Sequence, residues 1–240
     1  MASHVHPYQV GDDLFDAHVV RPETSDRLRP AVLIAHAWGG RSAFEEGKAD
    51  ALAELGYVGA AIDVYGVGRR GANKEESAAL MGELTQDPSK LRARLAASLE
   101  AVAGLDGVDP ARMAVIGYCF GGSCALLMAR MGLSLRGAVS FHGLLKLGEP
   151  LATRPQGRML ILHGQDDPMA PPEDVGQFAA EMKRVGGDWE LHAYPGVVHS
   201  FTNPAAQDPS FGTVYDEGAD RRSWAAMRRF LAEVVDAADR

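Results

Sequence analysis

The chain is poor in several features that mark other classes of protein. It has only two cysteines in 240 residues, too few for the disulfide framework of a small secreted domain. Acidic residues outnumber basic ones by 32 to 24, so we expect neither a nucleic-acid partner nor an anionic membrane partner. No apolar run approaches the roughly 18 residues of a membrane span, and no secretory signal opens the chain. These absences predict a cytoplasmic protein.

What is present is typical of a globular enzyme. Hydrophobic residues make up 46% of the chain and charged residues 23%, as in ordinary soluble domains. Residues 5–20 predict two short strands joined by a turn, and a polar connection follows at 21–30. From residue 31 onward, short apolar runs alternate with helical patterns. Strands are predicted at 31–35, 57–62, 113–116, 136–141, 159–162 and 189–194, and helices at 43–55, 73–84, 88–102, 120–131, 172–185 and 220–238.

This alternation predicts an α/β fold with a mainly parallel sheet, helices on both faces and an antiparallel N-terminal edge. The length fits one domain spanning residues 1–240.

The clearest chemical signal is the segment Gly117-Tyr-Cys-Phe-Gly-Gly122. An apolar strand runs into Gly117-x-Cys119-x-Gly121 and then a helix, which is the nucleophile-elbow pattern with cysteine in place of serine. Cys119 would lie at a helix N-terminus, which favours a thiolate, and the Phe120 N–H could stabilise an oxyanion. Cys124 lies five residues on, where burial as a small apolar side chain is the better interpretation. The spacing of the two cysteines is not that of a redox pair.

An elbow nucleophile needs a histidine base and an acid that orients it, in the chain order nucleophile, acid, histidine. Asp166 and Asp167 follow a predicted strand, and His199 lies on the loop after the last strand, where α/β folds build their sites. We select Asp167, because it precedes a proline in the Gly-x-x-Asp-Pro pattern typical of hydrolases with this layout. Asp166 is the alternative. No pair of histidines has metal-ligand spacing beside an acid, so no metal is expected.

Together these segments resemble the dienelactone hydrolase family, thiol-using members of the α/β-hydrolase fold. The resemblance is carried by the elbow, by the loop around Asp167 and by Gly-Val-Val-His-Ser-Phe at 196–201, and it covers most of residues 30–235. It implies Cys119 as nucleophile, His199 as base and Asp167 as the acid that orients it. It also implies a second oxyanion donor, the N–H of Trp38. No cofactor is implied.

The substrate pocket is expected at the same edge of the sheet. Its candidate residues are His36, Ala37, Tyr118, His142, Phe201 and Asn203. Two positions depart from the family: Ala37 replaces a glutamate, and Asn203 replaces an arginine that holds the substrate carboxylate. No arginine lies between residues 71 and 89, although Arg69 and Arg70 are near in sequence.

We therefore expect a hydrolase of a small ester or lactone that forms a covalent acyl-enzyme, working as a monomer or small homo-oligomer. One alternative is acyl transfer to another acceptor by the same three residues. The other is a non-catalytic binding protein that keeps the pocket.

Overall fold

A twisted sheet of eight strands forms the centre of the protein. The computed structural model describes residues 1–23 and 27–236. The strands are β1 (Ala2–Val10), β2 (Asp13–Arg21), β3 (Arg29–Ala35), β4 (Val58–Ile62), β5 (Val108–Tyr118), β6 (Gly137–Phe141), β7 (Arg158–Gly164) and β8 (Trp189–Tyr194). Their order is β1-β2-β4-β3-β5-β6-β7-β8. β2 pairs antiparallel with β1 and β4, and the other pairs are parallel. The predicted sheet and its antiparallel edge are confirmed.

Helices cover both faces of this sheet. They are α1 (Ala43–Glu54), α2 (Lys74–Thr85), α3 (Pro88–Ala103), α4 (Phe120–Arg130), α5 (Pro172–Val185) and α6 (Glu217–Leu231), and α6 continues as a π-helical turn, Ala232–Asp236. Side chains alternate between the two faces along each strand. In β3, for example, Leu33 packs in the core with α2–α5, whereas Ile34 packs in the core with α1 and α6.

Among the strands, the start of β5 and an additional hairpin differ from the sequence predictions. β5 begins at Val108, earlier than the predicted residue 113, and its pairing with β3 is irregular near Arg29. A small hairpin of β9 (Gln207–Asp208) and β10 (Thr213–Val214) follows β8 and was not predicted. The predicted connection at 21–30 and the predicted helix end at 238 lie partly outside the described residues.

Within residues 1–23 and 27–236, no helix combines the length and the apolar character needed to cross a bilayer.

Candidate active site

Cys119 occupies the sharp turn between β5 and α4. Its backbone has φ 55° and ψ −118°, a conformation that costs free energy for any residue other than glycine. The neighbouring glycines allow α4 to approach the sheet closely. A Cβ at Gly117 would lie 2.0 Å from the Gly121 oxygen, and one at Gly121 would lie 2.1 Å from the Ala35 oxygen. The elbow pattern of the sequence therefore has a direct steric cause here.

His199 and Asp167 form a buried hydrogen-bonded pair. Nδ1 of His199 lies 2.7 Å from Oδ2 of Asp167, and both side chains are almost completely buried. Oδ1 of Asp167 accepts the Met169 N–H at 2.8 Å. Asp166 is exposed. Because a carboxylate can only accept, Nδ1 of His199 carries a proton and Nε2 is the nitrogen available for chemistry.

The electrostatic surroundings of His199 favour its charged form. Burial alone would lower its pKa, but the neighbouring Cys119 and the bond to Asp167 outweigh burial and raise the pKa to about 10. Nε2 of His199 is buried and has no hydrogen-bond partner within the described part of the chain. Cys119 thus lies close enough to His199 to influence its protonation.

The β9–β10 hairpin holds the backbone of His199. The His199 N–H donates to the Gly212 oxygen at 3.0 Å, and the His199 oxygen accepts the Val214 N–H at 3.1 Å. The ring of Phe211, at the tip of the hairpin, stacks on Trp38 with 5.9 Å between ring centroids. One short element therefore contacts both the histidine and the loop that carries Trp38.

The two backbone N–H groups predicted to form the oxyanion hole have no acceptor in the described part of the chain. Among the described residues, the N–H groups of Trp38 and Phe120 donate no hydrogen bond. The Phe120 N–H is free because it opens α4, where no preceding turn supplies an acceptor. The Tyr65 hydroxyl stabilises the loop around Trp38 by donating a hydrogen bond to the Trp38 oxygen at 2.9 Å.

His142 lies directly behind the elbow, at the end of β6. Its Nδ1 accepts the Cys119 N–H at 3.1 Å, a donor shared with the Phe141 oxygen, and its Nε2 pairs with the Thr202 hydroxyl at 2.8 Å. Burial, together with the nearby His199, holds the pKa of His142 well below its usual value. His142 is therefore neutral and supports the turn that presents Cys119.

The remaining candidate pocket residues differ in accessibility. His36 is fully buried, and Tyr118 and Phe201 are buried in the core. Ala37 is half-buried on the loop that carries Trp38. Asn203 is exposed and its side chain accepts the N–H of a nearby turn residue.

Arg69 and Arg70, the arginines near residue 71, each pair with a carboxylate. Arg69 pairs with Glu83 at 2.7 Å, and Arg70 contacts the fully buried Asp63 at 3.3 Å. Their charges are thus already matched within the protein.

Sequence reasoning did not find an apolar cavity of about 500 Å³ between α2, α3 and α4. Phe120, which follows Cys119 directly, forms part of its wall. Its lining also includes Arg92, Glu149 and Lys146, and Lys146 pairs with Asp174 at 3.2 Å. Its apolar wall is formed by Met81, Leu84, Leu91, Phe120, Leu127, Leu144 and Leu147.

Both cysteines are free thiols. Cys124 is completely buried, and burial raises the pKa of its thiol well above the usual range, so Cys124 is unreactive. In the part of the chain that the structure describes, no cluster of three or more His, Cys, Asp or Glu side chains could hold a metal ion.

Comparison with known proteins finds a family match over most of the chain. Residues 15–235 match the dienelactone hydrolase family. The structure is similar to a dienelactone hydrolase-like promiscuous phosphotriesterase, P91, from metagenomic libraries. That similarity has a TM-score of 0.92 and 31% identity over 97% of this chain and 98% of that chain.

Two relatives with known sequences are also similar. An uncharacterised Caenorhabditis elegans protein, K02A2.1, is 36% identical over 60% of this chain and 94% of its own length. A provisionally named carboxymethylenebutenolidase of Aquifex aeolicus is 27% identical over 84% of this chain and 87% of its own length.

Proposed function

Because this chain belongs to the dienelactone hydrolase family, we propose that it hydrolyses a small neutral ester or lactone through a covalent acyl-enzyme on Cys119. The observation that carries the proposal is the 2.7 Å bond between His199 and Asp167. This bond keeps a proton on Nδ1 and leaves Nε2 to act on the thiol beside it.

The acylation step uses the groups already described. Nε2 of His199 takes the thiol proton of Cys119, and the sulfur attacks the carbonyl carbon of the ester. The electron pair of the C=O bond moves to oxygen, and the N–H groups of Trp38 and Phe120 stabilise the resulting charge. When the carbonyl re-forms, the bond to the leaving alcohol breaks, and His199 returns the proton to the alcohol oxygen.

Deacylation repeats the same sequence with water. Nε2 of His199 removes a proton from water, whose oxygen attacks the thioester carbonyl. The carbon–sulfur bond then breaks, the acid leaves, and Cys119 regains a proton from the imidazolium. Asp167 stays ionised throughout, because its role is to orient the ring and to stabilise its positive charge.

The state of Arg69, Arg70 and Asn203 favours a neutral substrate, and the cavity beside Phe120 favours one with an apolar group. Arg69 and Arg70 are paired with carboxylates, and Asn203 stands where the resemblance expects an arginine. Burying a substrate carboxylate without a cationic partner is unfavourable. The cavity beside Phe120, at about 500 Å³, lies within the usual size range of small-molecule sites and could take up the apolar part of the ester.

The test is a stopped-flow reaction with p-nitrophenyl acetate. The wild type should release a burst of p-nitrophenol equal to the enzyme concentration, and fragmentation by mass spectrometry should find the acetyl group on Cys119 rather than Cys124. Cys119→Ala should abolish both. Adding methanol should leave the yield of free acetic acid almost unchanged if water is the acceptor. Full activity of Cys119→Ala would exclude this mechanism.

A further inference from the structure

Glu45 contributes a buried carboxylate that joins the start of α1 to the loop carrying Trp38. Its side chain is only 2% exposed. Oε2 accepts the Ser42 N–H at 2.9 Å and the Ser42 hydroxyl at 2.7 Å. Oε1 accepts the Ala37 N–H at 3.1 Å. We call residues 36–40, between β3 and the cap of α1, the oxyanion loop.

Only half of this arrangement is explained by helix capping. Ser42 caps α1, and Glu45, three residues later, completes a capping box by accepting the Ser42 N–H. A capping box makes no use of the second carboxylate oxygen. That oxygen instead binds a backbone N–H eight residues earlier in the chain, within the oxyanion loop.

The bond to Glu45 holds the N–H of the peptide between His36 and Ala37, and the next peptide carries the Trp38 N–H. This peptide joins the Ala37 carbonyl to the Trp38 nitrogen. Its oxygen accepts the Gly40 N–H at 3.1 Å and contacts Nδ1 of His36 at 2.7 Å. With Glu45 holding the Ala37 N–H, residue 37 is restrained on both sides. The direction of the Trp38 N–H is then set before substrate arrives.

We propose that Glu45 is a positioning residue that orients the Trp38 N–H for the oxyanion, an inference that rests on the proposed function. Glu45 acts through the backbone and does not touch the substrate. Its loss therefore affects the transition state, where the oxyanion exists, more than substrate binding. It does not affect the nucleophilicity of Cys119, because that depends on His199 and the start of α4.

The experiment compares Glu45→Gln and Glu45→Ala with Ser42→Ala as the matched control. A glutamine has only one accepting oxygen, so it cannot serve both Ala37 and Ser42. Ser42→Ala removes the hydroxyl contacts of the cap but leaves the bond from the Ala37 N–H to Glu45. Each variant is assayed for kcat and KM with p-nitrophenyl acetate, for thermal unfolding, and for the rate of Cys119 alkylation by iodoacetamide.

Both Glu45 variants should lower kcat by roughly ten- to a hundredfold, somewhat less than complete removal of an oxyanion donor. Their KM should change by less than about threefold, because ground-state binding is retained. Alkylation should proceed at the wild-type rate, since displacement of iodide forms no oxyanion. Ser42→Ala should lower Tm while keeping most of kcat. If Glu45→Ala does not fold, Glu45→Gln alone decides the question.

Three results would overturn the proposal. The first is an unchanged kcat in the folded Glu45 variants. The second is a fall in alkylation that parallels the fall in kcat, which would mean that Glu45 acts on the thiol. The third is an equal loss of kcat in Ser42→Ala, which would mean that only the helix cap matters. Failure of the proposed function is seen separately, as activity that survives Cys119→Ala.

Discussion

Replacing Asp167 by asparagine tests the candidate triad with the smallest possible change of shape. Oδ1 of Asp167 already accepts the Met169 N–H, so the amide oxygen of the introduced asparagine must take that position. The amide NH₂ then replaces Oδ2 and points at Nδ1 of His199. An amide NH₂ can only donate, so Nδ1 must give up its proton and Nε2 must carry it. The nitrogen facing Cys119 becomes a donor and can no longer act as the base.

The expected loss is large because both partners are buried. An inverted tautomer of this kind lowers kcat by about 10⁴, equivalent to roughly 5 kcal/mol of transition-state stabilisation. The charge-assisted hydrogen bond between Asp167 and His199 is also lost, which should reduce the free energy of unfolding by about 1.5–3 kcal/mol. The pKa of His199 should fall, because Asp167 is one of the groups that raise it.

The assay is steady-state hydrolysis of p-nitrophenyl acetate across pH, combined with urea unfolding at pH 7. Asp166→Asn is the matched control, since it removes the same charge from the exposed neighbouring side chain. Asp166→Asn should change the free energy of unfolding by less than about 0.5 kcal/mol and leave kcat within a fewfold of wild type. The reasoning is refuted if Asp166→Asn is the more damaging change, or if Asp167→Asn costs less than tenfold.

Further predictions concern stability and substrate choice. Burial lowers the pKa of His142 and His163 below the ordinary 6.5. The free energy of unfolding should therefore decrease as the pH drops below 6.5, because protonation of these side chains then favours the unfolded state. Urea unfolding at pH 5 and at pH 7.5 measures this loss. The raised pKa of His199 has the opposite effect. Its contribution to the free energy of unfolding should be lost as the pH rises from 6.5 towards about 10. Gly117→Ala should prevent folding or reduce the free energy of unfolding by about 3 kcal/mol or more. Gly176→Ala, in an open stretch of α5, should instead raise that free energy by up to about 1 kcal/mol. The midpoints of urea unfolding of the two variants test both expectations. Finally, kcat/KM should be at least about tenfold higher for the methyl ester of a carboxylated lactone than for the free acid.

Helix α5 shows how local signals can define an element in advance. Its predicted bounds, 172–185, match the observed Pro172–Val185. Proline fits the first helical turn, and Gly186 ends the helix with φ 68°, which favours glycine. The start of α6 was predicted less accurately. It begins at Glu217 rather than 220, because Asp216 caps it by accepting the Ala219 N–H at 2.6 Å.

The β9–β10 hairpin could not be predicted because its strands are too short to show a pattern and because some of its contacts lie elsewhere in the chain. Each strand has two residues, too few to show any alternation. Asp208 and Gly212 are turn formers, but they indicate only that the chain turns. The backbone of the hairpin also pairs with His199, a contact that depends on the position of the loop after β8 and that no short-range pattern shows.

The contact between Glu45 and Ala37 shows the same limit at the site. Ser42-x-x-Glu45 is a visible capping-box pattern, yet it does not reveal the bond from Oε1 to the Ala37 N–H. That bond depends on the path of the oxyanion loop above the sheet, and short-range patterns do not determine such paths. Residue types thus indicate the chemistry of a site more readily than they indicate what holds its backbone in position.

The order of the strands explains how distant residues come together. β3 and β5 are neighbours and carry Trp38 and Cys119 beyond their ends, while β7 and β8 are neighbours and carry Asp167 and His199. Parallel strands lie about 4.8 Å apart, so β6 separates Cys119 from Asp167 and His199. His142, at the end of β6, fills this gap. It accepts the Cys119 N–H, and its ring centroid lies 5.1 Å from that of His199.

A charge on His142 would oppose the chemistry on both sides. A protonated Nδ1 could not accept the Cys119 N–H, and a second imidazolium would repel the positive form of His199 that the proposed mechanism needs. Burial prevents this by holding the pKa of His142 well below its usual value. The pKa values of two histidines in edge contact are therefore shifted in opposite directions, because Cys119 and Asp167 outweigh burial at His199, whereas nothing outweighs it at His142. In the proposed mechanism, His199 is therefore the imidazole that serves as the base, and His142 stays neutral beside it.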